Sequence, residues 1–111
     1  MNKYMYADNK YKNNKYTIEE LENEIIIDTL NNNLKTADWD LISCYQELTE
    51  EFIAKYKNKL NWNWISQKQK LTEEFIVEYK NKVYWYWIFN RQNLSEEFKS
   101  KYNKYRNCWI I

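Results

Sequence analysis

Apolar and polar positions recur along this chain with a long period as well as a short one. Leu48-Thr49-Glu50-Glu51-Phe52 returns as Leu71-Thr72-Glu73-Glu74-Phe75 and again as Leu94-Ser95-Glu96-Glu97-Phe98, 23 residues apart each time. The same interval carries Trp39 to Trp62 to Trp85, Leu41 to Trp64 to Trp87 to Ile110, and Ile42 to Ile65 to Ile88 to Ile111. It also carries Gln46 to Gln69 to Gln92, and Tyr56 to Tyr79 to Tyr102. Agreement at so many positions marks a repeat protein before any element is assigned.

Within a unit the spacing predicts two short helices. The second opens at Thr49, Thr72 or Ser95, hydroxyls suited to the unsatisfied N–H groups of a first turn. Two glutamates follow, where the positive end of the helix dipole favours them. Leu48 with Ile53 and Leu71 with Ile76 are spaced as hydrophobic staples, and Lys99 removes the third. The first helix is expected to use Asp38, Asn61 and Asn107 as caps, with Tyr84 breaking the rule. Trp62, Ile65 and Gln69 share one helical face, and Phe75, Ile76 and Tyr79 share a face of the next helix. Lys57, Lys59, Lys80 and Lys82 fall near the helix ends, matching the negative pole.

Helices of about 7 to 10 residues do not hold alone, because nucleation costs more than so few hydrogen bonds return. They need stacked neighbours. The expected fold is therefore all-α, a small solenoid of 23-residue helix-turn-helix repeats with a longer N-terminal capping helix. Residues 1–15 read as a Tyr/Lys/Asn-rich, partly ordered arm, in which Tyr4 and Tyr6 can pair with Tyr11 across a turn at Asp8-Asn9. Residues 16–36 read as the capping helix, opened by Thr17 with Glu20 three positions on and carrying an apolar stripe of Ile18, Leu21, Ile25, Ile26 and Leu30. Residues 37–111 read as the array, with units at about 38–60, 61–83 and 84–106 and a truncated fourth at 107–111.

Composition narrows the chemistry. The 111 residues contain no His, Gly or Pro. The commonest general base and metal ligand is missing, and no Gly-rich phosphate loop can be built. Phe, Tyr, Met, Ile, Asn and Lys make 59 of the 111 residues, a set with AT-rich codons, so the gene belongs to an AT-rich genome. That accounts for the Asn and Lys abundance but not for six Trp and eleven Tyr. Glu50-Glu51, Glu73-Glu74 and Glu96-Glu97 are adjacent on a helix and point about 100° apart, so they cannot flank one scissile bond. Asp38 and Asp40 alone make a weak cation site, and Cys44 and Cys108 lack metal or redox spacing. No catalytic residue, metal or cofactor is expected. With no apolar run of spanning length and no leader-like segment, the chain is expected to be cytoplasmic and to have no membrane partner.

Charge is polarised along the chain. Residues 1–16 carry +3, residues 17–51 carry −9 and residues 52–111 carry +7, for a net charge of +1. The aromatic rows serve first as core, yet Tyr84-Trp85-Tyr86-Trp87 puts large rings on every side of one helix. Tyr86 and Trp109 share a repeat position with Asp40 and Asn63, which reads as solvent-facing.

The string Trp62-x-Trp64-Ile65-Ser66-x-x-Gln69-x-Leu71-Thr72-Glu73-Glu74-Phe75-Ile76 resembles a repeat of uncharacterised bacteriophage and giant-virus proteins, over residues 38–111. The resemblance brings no established activity. It implies a viral or mobile-element origin, in keeping with the codon signature. Phe89 for the usual Ser, Lys99 for the usual Ile and Cys108 for Trp depart from it.

Two partner classes follow. In the first, the protein is a non-enzymatic inhibitor of a host defence system, an anti-CRISPR protein blocking an RNA-guided nuclease by direct contact. Tyr86, Trp109 and Trp87 would anchor it, and Glu22, Asp38, Asp40 and Glu47 would occupy a basic groove. In the second, Lys57, Lys59, Lys80, Lys82, Arg91 and Lys101, interleaved with aromatic rings, hold single-stranded RNA. A structural or scaffold role is third, and a homodimer through the aromatic face is compatible with all of them.

Overall fold

The structure, a computed structural model, describes residues 8–107. Among these residues it is all-helical and contains no strand. The order is α1 (Lys10–Asn13), α2 (Ile18–Leu30), α3 (Thr36–Tyr45), α4 (Glu50–Lys55), α5 (Trp62–Lys68), α6 (Glu73–Glu78), α7 (Trp85–Arg91) and α8 (Glu96–Lys101), followed by a 3-10 turn at Asn103–Tyr105. No helix of the described residues is long and apolar enough to cross a membrane. Two compact units divide the chain, one up to Asn61 and one from Trp62 onward.

The second helix of each repeat starts where the hydroxyls predict. Thr49, Thr72 and Ser95 accept from the backbone N–H of Phe52, Phe75 and Phe98 at 3.1, 3.2 and 3.1 Å. The first helix is less regular. Asp38 does not cap α3; the helix starts one turn earlier, and Asp38 is its third residue, accepting from the backbone N–H of Lys35 at 2.8 Å. Lys57, Lys59, Lys80 and Lys82 lie beyond the last residues of α4 and α6, in the turns that follow.

In the unit up to Asn61, Trp39 and Phe52 pack on Tyr56 with ring centroids 5.4 and 4.6 Å away. From Trp62 onward the same triad appears twice. Trp62 and Phe75 meet Tyr79 at 5.3 and 4.7 Å, and Trp85 and Phe98 meet Tyr102 at 5.6 and 4.6 Å. Beneath the rings lie Ile42, Ile53, Ile65, Ile76 and Ile88, all fully buried. The aromatic rows are therefore core at the first Trp of each unit, and Trp85 is only 1% exposed.

Within each unit a glutamine ties the end of one helix to the backbone of an earlier segment. Gln92, just past α7, accepts from the backbone N–H of Leu71 at 3.0 Å and donates to the carbonyls of Ser66 and Gln69 at 2.9 and 2.7 Å. Gln46, just past α3, accepts from the backbone N–H of Tyr16 at 3.1 Å and donates to the carbonyls of Tyr11 and Asn14 at 2.8 and 2.6 Å. In both cases the two carbonyls lie five and two residues before the N–H. Tyr11, Asn14 and Tyr16 thus stand where Ser66, Gln69 and Leu71 stand. The stretch expected as an arm thus contains α1, and it meets Gln46 through the same three bonds by which residues 66–71 meet Gln92. Tyr11 is 1% exposed, and its hydroxyl donates to Asp28 at 2.5 Å.

Serine supplies a second joint. Ser43 Oγ donates to the Trp39 carbonyl at 2.7 Å and accepts from the backbone N–H of Asn61 at 2.9 Å. Ser66 Oγ accepts from the backbone N–H of Tyr84 at 2.9 Å. Phe89 occupies the next such position, and the Arg106 guanidinium lies 4.8 Å from its ring centroid instead. The Tyr4 and Tyr6 pairing and the fourth unit from Cys108 onward fall outside the described residues.

Candidate protein-contact surface

α2 is the departure from the repeat. It runs for 13 residues where α4, α6 and α8 run for six, and nine extra residues separate Thr17 from Asp38 compared with Thr49 from Asn61. Its start is fixed by the expected capping box, with Glu20 N donating to Thr17 Oγ1 at 3.1 Å and Thr17 N to Glu20 Oε1 at 2.9 Å. Its end is a Schellman motif built without glycine. Asn32 takes φ 56°, its N–H meets the Thr29 carbonyl at 3.1 Å, and the Asn33 N–H meets that of Asp28 at 2.8 Å.

The expected apolar stripe divides. Leu21 and Ile25 are buried and Ile18 is half-buried, but Ile26 is 52% exposed and Leu30 78%. Ile27, at 49%, joins them. At 100° per residue, Ile25, Ile26 and Ile27 spread over about 200° of the helix, and of the three only Ile25 faces the core. That signal was present in the sequence and pointed opposite to the stripe assigned. Asn23 and Glu19, both exposed, continue the outer face towards the N-terminus of the helix.

α2 contains five acidic and no basic residues. Its inner carboxylates are already engaged. Glu24 and Asp28 meet Lys10 Nζ at 2.7 and 3.1 Å, and Glu22 accepts from Lys55 Nζ at 2.7 Å and from the Tyr56 hydroxyl at 3.0 Å. The Lys55 hydrogen bond leads in holding the Glu22 carboxyl below its usual range. Burial, then the hydrogen bond to Glu22, pushes the Tyr56 hydroxyl up. Glu19 enters no ion pair among the described residues.

The residues expected to bind a partner differ in how far the fold already engages them. Glu22 is held within the fold as described. Asp38 accepts from Asn9 Nδ2 at 2.7 Å, Asp40 accepts from Asn61 Nδ2 at 2.9 Å, and Glu47 is exposed just after α3. The position shared by Asp40, Asn63 and Tyr86 is half-buried in all three units, not solvent-facing. Tyr86 packs edge-on against Trp87 at 5.0 Å, and the Arg91 guanidinium covers the Trp87 ring at 5.2 Å. Trp109 lies outside the described residues. Among the basic candidates, Lys57, Lys59 and Lys80 are exposed and Lys82 is half-buried. Lys101 lies over the Tyr102 ring at 5.7 Å.

Asn63 Oδ1 is buried and finds no hydrogen-bond partner among the described residues. The reason is a substitution one unit on. Asp40 finds its donor in Asn61, 21 residues later, while the residue 21 after Asn63 is Tyr84, which has no side-chain amide.

No family model matches the chain, and neither a curated protein nor a solved structure does.

Proposed function

We propose that this chain is a non-enzymatic protein-binding module, a stacked helical solenoid of viral or mobile-element origin, that inhibits a host-defence protein by direct contact. The anti-CRISPR form, obstruction of an RNA-guided nuclease, is its most specific version. The observation that carries the binding reading is the outward apolar face of α2, Ile26, Ile27 and Leu30, in the stretch that the other repeats lack. Insertions into repeat arrays commonly form the binding face, and an apolar patch gains stability only when something covers it. The stacked architecture is supported by the joints, since Gln46 and Gln92 use the same three-bond pattern. Capture of a stoichiometric host protein by the tagged chain, persisting after nuclease treatment, is the expected result. Recovery of no such protein overturns the reading.

The second reading, single-stranded nucleic-acid binding, is favoured by cations seated on aromatic rings from Trp62 onward, Arg91 on Trp87 and Lys101 on Tyr102. It requires filter retention of RNA that falls steeply with salt and is lost in the Lys80→Glu, Lys82→Glu double variant. Absence of retention at low salt removes it.

A further inference from the structure

We infer that the outer face of α2 is the ligand half of a helix-in-groove contact. Ile26, Ile27 and Leu30 seat in an apolar groove of the partner protein whose rim presents lysine or arginine to Glu19 and Glu20. The inference rests on the protein-binding reading and adds the chemistry of the partner's site.

The occupant follows from charge and area. Nothing basic lies on α2, and the acids on its inner faces are paired internally, whereas Glu19 meets no cation among the described residues. Glu20 uses one oxygen on its own capping box and is exposed. The face therefore offers an apolar half at its C-terminal end and an unneutralised acidic half at its N-terminal end. Ile26 with Leu30 and Ile27 with Leu30 have the i, i+4 and i, i+3 spacings of the anchors that an amphipathic helix lays into a groove.

A second copy is the poorer fit. Three side chains make a small apolar patch, so the charge beside it decides what can cover it. Self-pairing would also set one uniformly acidic helix against another. A lipid surface is disfavoured too, because interfacial helices carry lysine and arginine beside their apolar face and α2 carries neither.

The test uses the full chain and the protein it captures. Leu30→Asp is expected to weaken the purified complex at least tenfold while leaving the circular dichroism and Tm unchanged. Ile27→Gln serves as the milder variant, and unfolding of both would overturn the inference by showing that the face is packed. Glu19→Lys with Glu20→Lys is expected to weaken binding several-fold and to remove most of its salt dependence. Carbodiimide, which joins carboxylates to amines at contact, is expected to link Glu19 or Glu20 to partner lysines beside an apolar groove. A captured protein that binds Leu30→Asp and the double lysine variant as well as the native chain overturns the groove and leaves the module reading standing. Failure to capture any protein removes the module reading itself. Dimerisation abolished by Leu30→Asp assigns the face to a second copy, and co-sedimentation with phosphatidylcholine–phosphatidylserine vesicles assigns it to lipid. Either result overturns the inference.

Discussion

At the scale of single residues, the polar side chains that recur every 23 positions are joints. Removing the Gln46 side chain leaves the Tyr16 N–H and the carbonyls of Tyr11 and Asn14 without their partner. Gln46→Ala is therefore expected to cost about 3 kcal/mol in urea unfolding, since each buried group left unsatisfied costs about 1–3 kcal/mol. The reverse experiment is available at Asn63. Tyr84→Asn places a side-chain amide where Asn61 supplies one to Asp40, and a gain of about 1 kcal/mol is expected. Glu22 makes a pH-dependent contribution. Its carboxyl titrates below the unfolded value, so its stabilisation is present above about pH 4.5 and is lost as the pH falls through the folded value. Glu22→Gln is expected to flatten the acid limb of a stability–pH curve. The period of Gln46, Gln69 and Gln92 was legible in the sequence; their role was not, because their partners are backbone groups and those carry no residue signature.

At the scale of elements, helix starts were easier to read than helix faces. A hydroxyl followed by two glutamates acts locally, and Thr49, Thr72 and Ser95 each bond the N–H three residues on. Thr17→Ala is expected to lower stability by about 1 kcal/mol through the same local chemistry. Asp38 misled because a carboxylate serves equally as a cap or as the third helical residue, and only the backbone before it decides. α1 was invisible for a different reason. Its contacts with the array run through main-chain carbonyls, so Tyr11 and Asn14 needed no likeness to Ser66 and Gln69 to replace them. The end of α2 depends on one residue. Asn32 is in the left-handed region, where a β-branched side chain costs about 1–2 kcal/mol more, and Asn32→Val is expected to lose that amount in thermal unfolding.

At the scale of the whole molecule, the helical class was legible in the sequence and the binding surface only indirectly so. The surplus aromatics do not supply it: Trp39, Trp62 and Trp85 are core, and Tyr86 and Trp87 are half-buried against each other. The apolar surface lies instead at Ile26, Ile27 and Leu30, on the side of α2 turned away from the buried Leu21 and Ile25. Because that surface adds nothing to the core, Ile26→Gln with Leu30→Gln is expected to leave Tm within about 1 °C while raising solubility.

The start of α2 keeps its own capping groups occupied. At Ser95, the N–H of the capping residue is met by Glu73, a glutamate 22 residues earlier. At Thr17 the same N–H is met by Glu20, three residues later, and the position that would reach backwards as glutamine is Asn14, whose amide turns onto the Lys10 carbonyl of its own helix. Both groups that would recruit another repeat are thus satisfied at home. Neither is left to pair with a neighbouring molecule, and concentrated solutions are expected to stay free of end-to-end strings joined through them.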